Sequence, residues 1–156
     1  MKRYTVRFAH LKETPIPKVG DIIYRGDKVG RMGSTGQSTA NHLHIDVIET
    51  LQNKIIRLKE IGYEKEKYKP NIEQLNYFID DELFGIKPII TTYFYDPEYK
   101  VKYKKDHPGY DLIPIDRHDT DEHFNIYWNR SKTGIILDVN FDAGYGNYIL
   151  IGFEVL

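Results

Sequence analysis

Period-two alternation sets the strongest limit on what this chain can become. Residues 2–11, KRYTVRFAHL, place Tyr4, Val6 and Phe8 on one side and Arg3, Thr5 and Arg7 on the other, the pattern of a strand with one buried face. Residues 89–95, 133–141 and 148–155 are rich in the β-branched and aromatic residues that favour strands. Asp21 to Tyr24 and Lys28 to Met32 read as short strands divided by the turn-forming Arg25-Gly26-Asp27. A loop of small residues at 33–41 then leads into a strand at 42–48. Thirteen tyrosines and seven phenylalanines fit this reading, and both ends of the chain are expected to form sheet.

The middle behaves differently. Leu51, Ile55, Leu58 and Ile61 recur at helical spacing between charged residues. Pro70-Asn71 interrupts the pattern, which resumes over 72–83 and stops before Gly85 and Pro88. Residues 50–85 are therefore expected to be a helical connector. At 156 residues without repeats or low-complexity segments, the chain is the size of one domain with a core of its own.

Charge and composition narrow the partners. A net charge of -1 gives no electrostatic basis for binding nucleic acid or an anionic membrane. No stretch approaches the roughly 18 apolar residues of a membrane span, and the N-terminus has no apolar run of signal-peptide length. The expectation is a chain that crosses no membrane and carries no export signal. The absence of cysteine leaves His, Asp and Glu as the only ligands for a transition metal.

Two strings carry such ligands: GRMGSTGQSTANHLHIDV at 30–47 and HPGYDL at 107–112. In a strand, His42 and His44 project from the same face and can share a site. Taken alone, that pair reads more readily as two solvated histidines on a polar strand face. His107 and Asp111 flank a Pro-Gly-Tyr bend that can bring imidazole and carboxylate together, and three protein ligands plus a water describe a catalytic rather than a structural zinc site. The run from His118 to His123 also has ligand chemistry, but its spacing and polarity read as a solvated loop. Among hydroxyls that could stabilise an oxyanion, Tyr103 stands shortly before His107, with Tyr99 and Tyr95 equally available.

These motifs resemble the lysostaphin-type, LytM-like zinc endopeptidases that cut the peptide part of bacterial peptidoglycan. The matching pieces are FAHL at 8–11, VGD at 19–21, VGRMGSTGQSTANHLHIDV at 29–47, HPGYDL at 107–112 and GYGNYILI at 144–151. The resemblance implies one zinc ion per chain held by His107, Asp111 and His44, with His42 and His10 as the catalytic pair. It also implies that a peptide substrate lies along the loop holding Gly33, Ser34, Gly36 and Asn41, although those residues read equally as an ordinary flexible loop. Ala40 stands where the family usually has glycine, and an acidic loop at 116–122 replaces a glycine-rich turn. Both departures bear on the groove, not on the ligands.

The order of the motifs is itself unusual. In the family the His-x3-Asp motif comes first, followed by GYGN, AHL and HLH, whereas here GYGNYILIGFEVL ends the chain and KRYTVRFAHL begins it. Joining the ends would restore the usual order. The expectation is a β-rich α+β domain spanning 1–156: an antiparallel sheet with circularly permuted strand order, built from a half at 1–49, the helical connector at 50–85 and a half at 86–156. A longer linker costs only about 0.6 kcal/mol per doubling of loop length. A monomer is expected, and distant chain ends would instead imply a strand-exchanged dimer or a fragment of two neighbouring domains. The function implied is zinc-dependent hydrolysis of a stem-peptide or cross-bridge bond in peptidoglycan, as in a phage-type lysin. The alternatives are a catalytically silent wall-binding or partner-activating module and a structural part of a phage assembly.

Overall fold

A computed structural model describes residues 2–50, 70–116 and 123–156. The expected helix at 51–69 and most of the acidic loop lie outside the described residues. The architecture is β-rich, as the alternation requires. A seven-stranded antiparallel sheet contains β1 (Lys2–Leu11), β2 (Ile22–Ile23), β4 (Leu43–Thr50), β5 (Pro88–Thr92), β6 (Tyr110–Pro114), β8 (Gly134–Asp142) and β9 (Gly146–Val155). Its order is β2-β8-β9-β1-β4-β6-β5. A two-stranded sheet pairs β3 (Lys28–Arg31) with β7 (Asn125–Tyr127).

β1 occupies the centre, pairing with β4 on one side and β9 on the other. Lys2 lies opposite Val155, so the first and last strands run side by side. Alternation then sorts the faces. Val6, Phe8, Leu43, Ile45 and Val47 enter the main core, together with Phe78, Trp128 and Phe153. Arg7, His44 and Asp46 lie on the opposite face, where Arg7 faces Asp46 and Ala9 faces His44 across the strands.

Two segments depart from the sequence pattern. The helix expected over 72–83 is limited to α1 (Ile72–Asn76), capped by Asn71, whose side chain accepts from the Gln74 amide. Turns continue from there, yet Leu75, Phe78, Leu83 and Phe84 are all buried. The apolar spacing therefore recorded burial correctly and helix length incorrectly. The strand expected at 89–95 stops at Thr92. It is followed by α2 (Pro97–Tyr103), which Asp96 caps by accepting from the Glu98 and Tyr99 amides, with Pro97 in the first turn. Asp-Pro-Glu is a strong helix start, and here it prevails over the β-propensity of the preceding tyrosines.

Candidate metal centre

β4 and β6 build the centre directly. Their register sets His44 opposite Asp111 and Ile45 opposite Tyr110, so the HLH strand and the HPGYDL bend deliver their ligands to one place. His44, His107 and Asp111 offer donor atoms that all lie within 4.8 Å of one another. His44 Nδ1 is 3.0 Å and His107 Nε2 is 3.3 Å from Asp111 Oδ1. Ligand atoms about 2.0–2.1 Å from a tetrahedral ion stand roughly 3.3 Å apart, so the spacing fits zinc.

Hydrogen bonds behind the ligands fix which nitrogens are free. His107 Nδ1–H donates to the Gly109 carbonyl at 2.7 Å and to that of Tyr93 at 3.1 Å. His44 Nε2–H donates to Asp46 Oδ2 at 2.7 Å. A neutral imidazole has one donor and one acceptor nitrogen, so the nitrogens turned toward Asp111 are lone pairs. Three lone-pair donors converging in a site where His44 and His107 are only 3% and 2% exposed suit a cation and poorly suit one another. Without a metal, a proton takes that place. Burial opposes the charge on His44, but its bonds to Asp111 and Asp46 outweigh it and raise the group to about 9. Asp111 is held far below the carboxylate range: burial acts against this, and the bonds to His107 and His44 prevail.

Gly109 makes the bend work. A side chain there would run into the Ile45 carbonyl and Asp46 Cβ, so only glycine lets β6 approach β4 closely enough to bring His107 over the site.

Two further histidines, His42 and His10, stand beside the centre. His42 Nε2 lies 3.7 Å from Asp111 Oδ1, while its Nδ1–H donates to the Ala40 carbonyl at 2.8 Å. His10 arrives by a different route. Continued alternation after Phe8 would turn it into the core, but the register shifts between Phe8 and Leu11, and His10 takes a left-handed φ of 59°. That bulge re-aims the side chain. Its ring lies 4.8 Å from that of His42 and 6.1 Å from that of His44, and its Nδ1–H donates to the Thr35 carbonyl at 2.8 Å. Burial, with smaller contributions from His42 and His44, lowers its pKa to about 4 against the opposing Thr35 bond.

The other sequence candidates fall around this centre. Tyr103 is 40% exposed and packs on Tyr99 at 4.6 Å, and it is Tyr99 whose ring lies 4.5 Å from that of His107. Tyr95 stacks on Phe94. Ser34 Oγ pairs with Ser38 Oγ at 2.7 Å, and Asn41 is buried. At Gly33 and Gly36 the space a side chain would need is filled by the backbones of Lys12 and Gly146, with Gly36 at φ 75°. These glycines serve close packing of the loop against the β1 bulge and the β8–β9 turn. His123 donates to the Met32 carbonyl at 3.1 Å, and residues 118–122 lie outside the described residues.

Asp46 was missed. It belongs to the same period-two row as His42 and His44, so extending that row by one step would have found it.

Comparison with known proteins meets this geometry from one side. The model of peptidase family M23 matches residues 1–56. Over these residues the chain is similar to the M23 peptidases. The matched region contains His10, His42 and His44, while the fold brings the M23-like chain's His107 and Asp111 to them from outside it. A protein of Buchnera aphidicola subsp. Baizongia pistaciae (strain Bp), described as an uncharacterized metalloprotease, is 36% identical over 71 residues, which is 46% of this chain and 18% of that protein. The M23-like chain thus spans less than a fifth of the relative's length. No solved structure matches it.

Proposed function

We propose that the protein is a zinc-dependent endopeptidase acting on the peptide part of bacterial peptidoglycan. The observation that carries the metallopeptidase reading is the convergence of His44, His107 and Asp111, with two further histidines beside the same site. The substrate class rests on the motif resemblance. Zinc bound there would polarise the scissile carbonyl and acidify a water.

The chain's own residues divide the proton handling. His10 is neutral at pH 7, with Nδ1–H committed to Thr35, so its Nε2 is an acceptor, and its role would be to take a proton from the attacking water. His42, with Nδ1–H committed to Ala40, presents Nε2 beside Asp111. When protonated, that nitrogen donates to the developing oxyanion and then to the leaving amine. His107 and His44 are held by their rear bonds and move no proton during turnover.

The test is digestion of purified peptidoglycan of several wall types, with product mass spectrometry. Cleavage at a defined peptide bond is expected, falling at least roughly 100-fold in His42→Ala while metal content is unchanged. No fragment release from any wall type by zinc-loaded protein would favour the silent wall-binding module.

A further inference from the structure

Asp46 and Arg7 form a buried pair in the sheet directly behind His44. Arg7 Nε donates to Asp46 Oδ2 at 2.9 Å and its Nη2 to Oδ1 at 3.2 Å. The Asp46 side chain is 4% exposed and that of Arg7 16%. The guanidinium lies 3.5 Å from the centre of the Tyr145 ring, and that ring stands 5.6 Å from His44. The same Asp46 Oδ2 accepts from His44 Nε2–H.

A buried ion pair is weak evidence of stabilisation, since desolvation offsets most of its attraction. This one does something a hydrophobic pair could not. A two-point clamp by Arg7 fixes the carboxylate, with Tyr145 limiting the guanidinium from the other side. The shared oxygen then holds the rear nitrogen of His44 as a donor, which turns Nδ1 toward Asp111 as a lone pair. His107 obtains the same result from backbone carbonyls. Between the two metal-facing imidazoles, His44 is thus the one backed by a negative charge, which makes it the more basic ligand.

We propose that Asp46, clamped by Arg7 and Tyr145, is the positioning residue that sets the tautomer and orientation of His44 as a metal ligand. Neither Asp46 nor Arg7 touches the metal or the substrate; both act through His44. The inference rests on the metal reading of the site given above.

The test measures zinc affinity by competition with a chromophoric chelator, alongside melting of the metal-free protein. The variants are Asp46→Asn, the double variant Arg7→Met with Asp46→Asn, and Glu154→Gln. The last breaks the Arg3–Glu154 pair, 2.9 Å, which joins β1 to β9 and includes none of the site residues. Asp46→Asn is expected to weaken zinc binding by roughly 10- to 100-fold. The double variant, which leaves no unpaired buried guanidinium, is expected to lose a similar factor while melting near the parent. Glu154→Gln should keep the parent affinity. Nitrogen NMR of the zinc-loaded parent should show His44 protonated at Nε2, a readout that holds even if Asp46→Asn fails to fold. Parent-like affinity in a folded Asp46→Asn variant, or His44 protonated at Nδ1, overturns the inference alone. A parent protein that takes up no zinc overturns the metal reading and the inference with it.

Discussion

Removing the metal should make the protein's stability fall with rising pH across the neutral range. In the metal-free protein His44 is the proton-holding group of the centre, raised from 6.5 to about 9. A group whose pKa is raised on folding contributes stability that is fully present below its unfolded value and lost as pH climbs through its folded value. The window is therefore pH 6.5 to 9. At 1.36 kcal/mol per unit the shift corresponds to about 3 kcal/mol. His44 is buried, so solvent screening does not reduce this, while the depressed Asp111 reports the same contact from its other side and adds nothing. The assay is urea unfolding of chelator-treated protein at pH steps from 6 to 9.5. A fall of this order is expected, abolished in His44→Gln. Metal displaces the proton, so the zinc-loaded protein should show a flatter profile, and zinc uptake near pH 7.5 should release about one proton per chain. Metal-free stability that is level or rises between pH 7 and 9 would refute the reasoning.

Two other perturbations test the fold that carries the site. Gly109→Ala places a methyl against the Ile45 backbone, which no rotamer can relieve; a stability loss of about 1–3 kcal/mol is expected, with weaker zinc binding as β6 lifts from β4, read by denaturation and chelator competition. Phe78→Ala empties a fully buried position where the ring meets Phe8, Trp128 and Phe153, and should cost about 3–5 kcal/mol in urea unfolding.

These cases show where the sequence was legible. The alternation of Tyr4, Val6 and Phe8 located β1 to its observed bounds, Lys2–Leu11, and HLH located the face that carries His44. Both are short-range patterns tied to one backbone geometry. His10 was legible as a motif member, but its route into the site was not, because a bulge that flips one residue leaves no period to read. Helix α2 was obscured by the aromatic run before it, although Asp96-Pro97-Glu98 carried the signal. The Arg7–Asp46 pair depends on register between strands some forty positions apart, which period alone does not specify.

The central claim is that His44, His107 and Asp111 hold one metal ion. Its most direct test is metal analysis of protein reconstituted with zinc and freed of excess, set beside His44→Ala and Asp111→Ala variants shown to be folded. The account predicts about one zinc per parent chain and loss of stoichiometric zinc in both variants. A parent chain without zinc, or variants that retain the full equivalent, would contradict it.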